Sequence, residues 1–262
     1  MKILFVGDIY GRAGRRAASE VVPQLMTEYS VDFCIINGEN AAGGFGITEN
    51  IGKKLHAYGA DVITTGNHVW DQKSGVPYIQ SGDRILRPAN YPPSVGGIGS
   101  GVYEARNGRF VGVVNIQGRT GLRPVDCPFR IGRRLVDELK KETPIVFVDF
   151  HAEATSEKIA MGWYLDGRAS VVIGTHTHVQ TADETVLPGG TAYMTDSGMT
   201  GPHDSVIGAE KEAVIQQFLD RMPTRYEPAE GDVKLCGAMI DVDPKSGRAT
   251  AIERLRIDVP EA

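Results

Sequence analysis

Short apolar runs that end in side chains able to bind a metal recur along this sequence. Residues 171–180 read VVIGTHTHVQ, in which a β-branched run predicts a buried strand that Gly174 closes and that His176 and His178 follow. In extended backbone, residues i and i+2 project to the same side, so we expect both imidazoles to face one point. Four other runs end in the same way: residues 2–7 before Asp8, 32–38 before Glu39 and Asn40, 61–66 before Asn67 and His68, and 144–150 before His151.

This recurrence predicts an α/β fold. In open α/β sheets the functional crevice lies outside the carboxyl ends of the strands, so repeated delivery of polar side chains there is strong evidence. Helical crossovers connect the early strands, whereas residues 101–117 and 235–257 predict hairpins, the first with a type I′ turn at Asn107 and Gly108. We therefore expect two mixed sheets packed together under helices, in a single domain spanning residues 1–262.

Composition and charge exclude several classes of protein. With 41% hydrophobic and 23% charged residues the chain is an ordinary globular one, and its net charge of −5 gives no general attraction to nucleic acid or anionic membranes. No apolar stretch reaches the length of a membrane span, and the sequence begins on a predicted strand without a signal-peptide pattern. Cys34, Cys127 and Cys236 are widely spaced, which fits reduced thiols better than disulfides. We therefore expect a cytoplasmic protein with neither a membrane nor a general nucleic-acid partner.

The candidate site residues mix carboxylates, amides and imidazoles. They include no thiolate, so the set does not match a structural zinc site. Such ligands suit manganese, iron or zinc, and they are too many for one ion, so we expect two ions with a carboxylate such as Glu39 between them. Paired ions of this kind catalyse in-line displacement at phosphorus by a bridging hydroxide. The residues are Asp8, Glu39, Asn40, Asn67, His68, His151, His176 and His178.

In their order along the chain, these residues resemble the motifs of the calcineurin-like metallophosphoesterases, and most closely those of the bacterial YmdB-type branch. The superfamily usually has Asp-x-His first and Gly-Asp second, where this sequence has Asp8-Ile9-Tyr10 and Gly38-Glu39. The missing histidine removes one usual ligand, and the YmdB-type branch implies Asn40 in its place. The resemblance covers essentially the whole chain and rests on Asp8, Gly38-Glu39-Asn40, Gly66-Asn67-His68, His151 and the GTHTH of residues 174–178.

The resemblance implies a four-layer α/β/β/α sandwich and phosphodiesterase activity, with 2′,3′- or 3′,5′-cyclic nucleotides among the substrates. It implies His68 as the general acid that protonates the leaving group. Two iron or manganese ions are the implied cofactors, and zinc is a further candidate. By motif position, Asp8, Glu39, Asn40 and His178 hold one metal, and Glu39, Asn67, His151 and His176 hold the other.

Substrate contacts are weaker predictions than the metal ligands. Trp70 is either a pocket wall or a core residue, and Arg119 is a candidate phosphate contact. His203 is either a substrate contact or an ordinary loop histidine. The segment 196–204, with its glycines and hydroxyl residues, has the composition of a mobile lid.

Two other functions fit part of the pattern. An amidohydrolase also uses a His-x-His pair, but that pair belongs on the first strand of a barrel, and here it comes late in the chain. A regulatory protein that senses a nucleotide at its metals, with slow or no turnover, remains compatible, although the intact ligand set and His68 favour an enzyme. The expected partner in both the regulatory and the enzymatic case is a small phosphodiester or cyclic nucleotide, and association into a homo-oligomer is left open.

Overall fold

The computed structural model describes residues 1–260, so Glu261 and Ala262 of the predicted single domain lie outside the described residues. In chain order the strands are β1 Lys2–Val6, β2 Phe33–Asn37, β3 Val62–Thr64, β4 Ile85–Leu86, β5 Ser100–Glu104, β6 Phe110–Gln117, β7 Val146–His151, β8 Val171–Thr175, β9 Thr185–Val186, β10 Ala192–Met194, β11 Gly201–Pro202, β12 Val233–Val242 and β13 Ala249–Asp258. The helices are α1 Gly11–Glu28, α2 Glu49–Tyr58, α3 Val76–Ser81, α4 Pro128–Leu139, α5 Thr155–Leu165 and α6 Lys211–Asp220, with a 3₁₀ turn over Lys73–Gly75.

The strands form two sheets, and both are mixed. The first sheet has the order β11-β12-β1-β2-β3-β4, with β13 paired to β12. Its strands β1 to β4 are parallel, whereas β12 is antiparallel to β1. The second sheet has the order β5-β6-β7-β8-β10-β9, in which the central strands are parallel and the edge strands β5 and β9 are antiparallel to their neighbours. The prediction of two mixed sheets is confirmed.

The two sheets pack face to face across a buried core. Phe5 of β1 and Phe147 of β7 are fully buried there, with ring centroids 5.1 Å apart. Helices α1 and α2 cover the outer face of the first sheet, where Leu55 joins the core. Helices α4 and α5 cover the outer face of the second sheet through Val136 and Met161. The layers therefore follow the order α/β/β/α, which confirms the four-layer sandwich.

The carboxyl ends of the central parallel strands lie together at one edge of the sandwich. Asn37, which ends β2 in the first sheet, donates a hydrogen bond from Nδ2 to Oδ2 of Asp149 in β7 of the second sheet, at 2.9 Å. Parallel register brings the ends of β1 and β2 level in one sheet, and those of β7 and β8 level in the other. Polar residues that follow these strands therefore meet between the two sheets.

The predicted hairpins are present, but the turn of the first differs from the prediction. The amide of Gly108 donates to the carbonyl of Ala105 at 2.9 Å. Gly108 has a φ of 75°, whereas Asn107 does not enter the positive-φ region. A type I′ turn needs positive φ at both central residues, so this connection is instead a type I turn followed by a left-handed glycine.

None of the helices within residues 1–260 has the length and apolar character needed to cross a membrane. All three cysteines are free thiols in the described part of the chain, with Cys34 and Cys236 buried.

Candidate metal centre

The candidate centre is built on residues that end or follow the strands of both sheets. Asp8 follows β1, Glu39 follows β2 and His151 ends β7. Ligand atoms of these three side chains all lie within 4.8 Å of one another, and all three side chains are fully buried. Two carboxylates and an imidazole that converge in a buried space are a suitable partial ligand set for a transition metal.

The remaining candidate ligands surround this group. His151 Nε2 lies 3.1 Å from Asn67 Oδ1 and 3.1 Å from His176 Nδ1. Asn40 Nδ2 lies 2.9 Å from His178 Nε2. The structure thus brings together Asp8, Glu39, Asn40, Asn67, His151, His176 and His178 from five separate parts of the chain.

Several buried oxygen atoms in this cluster lack a hydrogen-bond donor. Within residues 1–260, Asp8 Oδ1, Glu39 Oε2 and Asn40 Oδ1 are buried and have no hydrogen-bond partner. A buried acceptor without a partner costs roughly 1–3 kcal/mol, and more for a charged one. Burial, together with the nearby carboxylates of Asp196 and Glu39, raises the pKa of Asp8 well above its usual value. Bound cations would compensate these oxygens, so the residues fit a metal site.

Glu39 and His151 approach each other closely without forming a hydrogen bond. Glu39 Oε2 lies 2.5 Å from His151 Nε2, a distance that suggests an ion pair. However, Thr175 Oγ1 donates to Asp149 at 2.7 Å, so it can only accept from His151 Nδ1, which lies 2.9 Å away. Burial also lowers the pKa of His151 well below its usual value, so the ring carries a single proton, at Nδ1. Nε2 therefore presents a lone pair towards the lone pairs of Glu39, an arrangement that a metal ion bound by both groups would stabilise.

Gly66 leaves the space that these ligands occupy. A Cβ atom at this position would lie 1.9 Å from Glu39 Oε2 and 2.2 Å from His151 Nε2. Any side chain there would displace both groups. The glycine before Asn67 therefore allows the end of β3 to approach the site through its backbone alone.

Hydrogen bonds behind the site also fix the orientation of His178. Its Nδ1 donates to the carbonyl of Ile207 at 2.8 Å, which leaves Nε2 as the nitrogen that faces Asn40. Burial lowers the pKa of His178 and lowers that of His176 to about 3. Both rings are therefore neutral at physiological pH, which is the form of imidazole that binds metals.

The loop that carries these two histidines is not extended, so this part of the prediction is wrong. Strand β8 ends at Thr175, and His176 and His178 adopt φ values of 99° and 67°. Each ring reaches a different partner, His151 for His176 and Asn40 for His178. Non-glycine residues in this region cost on the order of 1–3 kcal/mol each, so neighbouring groups must hold the loop in place.

A buried ion pair, which the sequence analysis did not identify, holds this loop. Lys158 Nζ lies 2.5 Å from Asp196 Oδ2, and both side chains are 1% exposed. The same carboxylate oxygen accepts hydrogen bonds from Thr177 N at 3.2 Å and Thr177 Oγ1 at 2.7 Å. Asp196 thus binds the residue between the two histidines. Its position just after β10 is the same strand-end signal that identified the other site residues.

The segment around Asp196 is fixed rather than mobile, so the predicted lid is wrong. Residues 196–202 are buried. The amide of Thr200 donates to the carbonyl of Asp8 at 2.9 Å, and that of Ser197 donates to the carbonyl of Gly174 at 2.9 Å. These bonds attach the segment to the ends of β1 and β8, next to the ligands.

His68 lies at the edge of the centre. Its amide donates to Glu39 Oε1 at 2.8 Å, and its Nδ1 donates to Asp71 Oδ2 at 2.7 Å. The side chain is 30% exposed and packs edge-on against the ring of Phe45, with centroids 5.0 Å apart. Because Asp71 occupies Nδ1, Nε2 is the nitrogen that can exchange a proton with a bound molecule.

Within residues 1–260, none of the three candidate substrate contacts forms a hydrogen bond with a predicted metal ligand. Trp70 is partly buried and packs against the outer core of the first sheet. Arg119 is exposed, and its amide binds Glu157. His203 Nε2 lies 3.2 Å from the carbonyl of Met199. A substrate role for these residues stays a prediction.

The four-layer sandwich with acidic, amide and imidazole side chains at its strand ends defines a metallophosphoesterase-type fold. The chain belongs to the family described as YmdB-like protein, whose model matches residues 4–255. A protein of Bacillus subtilis (strain 168) named 2′,3′-cyclic-nucleotide 2′-phosphodiesterase is 51% identical over 258 residues, which cover 98% of this chain and 97% of that protein.

Two solved structures share the whole fold. The crystal structure of a hypothetical protein from Thermus thermophilus has a TM-score of 0.93 and 40% identity, and the match covers 99% of this chain and 100% of that one. A structure described as a novel phosphatase from Mycoplasma pneumoniae has a TM-score of 0.92 and 36% identity, over 98% of this chain and 93% of that one. The resemblance seen in the sequence is therefore confirmed at the level of the family.

Thr177→Val tests whether the bond to Asp196 holds the histidine loop. The substitution removes the hydroxyl donor and keeps the side-chain volume, so we expect metal affinity to fall on the order of tenfold while the fold is retained. Competition with a chelator measures the affinity, and circular dichroism checks the fold. Thr250→Val, at an exposed site on β13, is the matched control. Unchanged metal affinity in Thr177→Val would show that the histidine loop keeps its conformation without the hydrogen bond from the Thr177 hydroxyl to Asp196.

Proposed function

We propose that the chain is a dinuclear metal-dependent phosphodiesterase that hydrolyses cyclic nucleotides, with 2′,3′-cyclic nucleotides as the first candidates, in the cytoplasm. The observation that carries the proposal is the set of buried oxygens of Asp8, Glu39 and Asn40 that lack hydrogen-bond donors at the strand ends. Membership of the YmdB-like family and the name of the Bacillus subtilis relative support the reaction and the substrate class.

The geometry supports a division of the ligands into two groups that share Glu39. Asp8, Asn40 and His178 would complete one group, in which Asn40 and His178 are already in contact. Asn67, His151 and His176 would complete the other, in which His151 contacts both of the others. Oxygen and imidazole ligands of this kind suit iron or manganese, and zinc is also compatible with them.

When bound, two such ions would supply Lewis-acid stabilisation of the phosphoryl oxygens and make water acidic enough to attack at neutral pH. The chain's own residues supply position and proton transfer. Asp149 and Thr175 hold His151 in one tautomer, and Ile207 does the same for His178. His68, oriented by Asp71, would give its proton from Nε2 to the departing alkoxide.

We expect metal analysis of the purified protein to approach two transition-metal ions per chain. Glu39→Gln should lower the content of both ions, since Glu39 belongs to both groups, whereas His178→Ala should mainly lower one. His56→Ala is the control, because His56 lies on α2 and binds the carbonyl of Ala60 and Tyr78. A constant value of one ion per chain after reconstitution would contradict the shared role of Glu39.

The reaction itself is tested with a panel of phosphate esters on the metal-reconstituted protein. We expect a higher kcat/KM on a nucleoside 2′,3′-cyclic phosphate than on the corresponding nucleoside monophosphate. Asp8→Asn, prepared in the same way, should lose activity on both and so exclude a contaminating enzyme. Comparable kcat/KM values on diester and monoester would rule out a diesterase preference, and no turnover of either would leave only a binding role for the site.

His68→Ala separates acid catalysis from binding. An alkoxide leaving group needs a proton in the transition state, whereas a nitrophenolate does not, so the loss should depend on the substrate. We expect roughly 10²–10⁴-fold lower kcat on the cyclic nucleotide and a much smaller loss on a nitrophenyl diester, with both metals retained. Equal losses on the two substrates would assign His68 to substrate binding, and loss of metal would make it a ligand.

A further inference from the structure

A cavity of about 540 Å³, outside the metal ligands, is lined in part by Phe45, whose ring packs against His68. One wall is the loop of residues 41–47, which directly follows Asn40 and contributes Phe45, and the other wall is the segment 224–227. Ligand sites for small molecules usually measure roughly 300–1,000 Å³, so this cavity has room for a nucleoside.

The loop is shaped to present Phe45 at this cavity. Gly43, Gly44 and Gly46 have φ values of 68°, 95° and 72°, which side chains rarely adopt. Gln72 Nε2 donates to the carbonyls of Ala42 at 3.2 Å and Phe45 at 2.8 Å, and so fixes the backbone on both sides of Gly43 and Gly44. A large aromatic ring is therefore held 39% exposed on an anchored loop.

Phe45 also connects the cavity to the reacting centre. Its ring meets that of His68 at an interplanar angle of 69°, and His68 in turn binds Glu39 through its amide. A molecule whose phosphate reaches the metal ligands and His68 would therefore extend along Phe45 into the cavity.

The opposite wall combines the partly exposed Tyr226 with exposed polar groups. Arg225 Nε and Glu227 Oε1 form an ion pair at 3.0 Å, with 88% and 62% of their side chains exposed. The carbonyl of Glu227 accepts from the amide of Glu210 at 2.9 Å, which fixes this end of the segment. An aromatic ring on one side and hydrogen-bonding groups on the other match a nucleobase, which has a flat π face and a polar edge.

We propose that this cavity binds the nucleobase of the substrate and that Phe45 stacks on it. The proposal rests on the proposed function, since it places the phosphate of the same molecule at the metal ligands. It makes Phe45 a specificity-determining residue for phosphodiesters that carry a base.

The test compares two cyclic phosphodiesters, a nucleoside 2′,3′-cyclic phosphate and glycerol 1,2-cyclic phosphate, which lacks a base. We expect Phe45→Leu to lower the ratio of their kcat/KM values on the order of tenfold, mainly through KM for the nucleoside substrate. Phe45→Tyr should restore the ratio, because it keeps an aromatic face. Phe110→Leu, in which a Phe that is 50% exposed on β6 is changed in the same way, should leave the ratio unchanged.

A binding measurement tests the base site independently of the hydrolysis reaction. Calorimetric titration of a nucleoside monophosphate and of glycerol phosphate into the metal-loaded protein should show the same loss of selectivity in Phe45→Leu, even if the wild type hydrolyses neither diester. In that event the proposed phosphodiesterase activity would be contradicted, whereas binding of the base at Phe45 would still be supported. An unchanged selectivity ratio in both measurements would overturn the base site. If Phe45→Leu then lowers activity equally with and without a base, Phe45 would instead be assigned to the support of His68.

Discussion

The burial of several carboxylates at one place is the constraint on which the rest of this structure depends. Burial raises the pKa of Asp8, Glu39 and Asp149, and in Asp8 and Asp149 neighbouring acidic groups add to the effect. Asp149 is compensated by hydrogen bonds from Asn37, Thr64 and Thr175 and reaches a pKa of about 6. Asp8 and Glu39 each keep an oxygen without a donor within residues 1–260. This difference separates a carboxylate whose charge the fold itself compensates from two carboxylates whose charge a bound cation would compensate.

The same constraint explains why the groups behind the site are polar. Thr175 could not orient His151 without the carboxylate of Asp149 to accept its own proton. The histidine loop, strained at two residues, depends similarly on Asp196, whose charge is in turn compensated by Lys158. Removal of one member of a buried ion pair leaves the other charge unpaired, so these supporting residues are costly to change although none is a predicted ligand. A site held by such contacts is fixed before any substrate arrives.

The parts of the site that could be predicted from sequence are those set by local pattern. A β-branched run followed by Asp8 or Glu39 predicts a strand, and it also predicts the sheet edge at which the side chain lies, because parallel strands end together. The pairing of Lys158 with Asp196 depends on the packing of α5 against β8 and β10, which no local pattern records. The glycines and hydroxyl residues of 196–204 likewise indicated a flexible segment. The backbone hydrogen bonds that attach this segment to the ends of β1 and β8 depend on the tertiary fold and could not be predicted from composition.

The position at which this chain departs from the usual superfamily motif is filled by Tyr10. Its ring lies edge-on to His178 at 5.5 Å, and it packs so closely that a Cβ on Gly44 or Gly208 would lie within 2.8 Å of it. Burial raises the pKa of its hydroxyl, so Tyr10 stays neutral and acts as a packing residue. Asn40 Nδ2 faces His178 Nε2, and a half-turn of the amide would exchange Nδ2 for the unpartnered Oδ1. Two acceptors would then face each other, an arrangement that a cation bound by both would stabilise. In that orientation the amide of Asn40 would supply the oxygen ligand that the missing histidine leaves open.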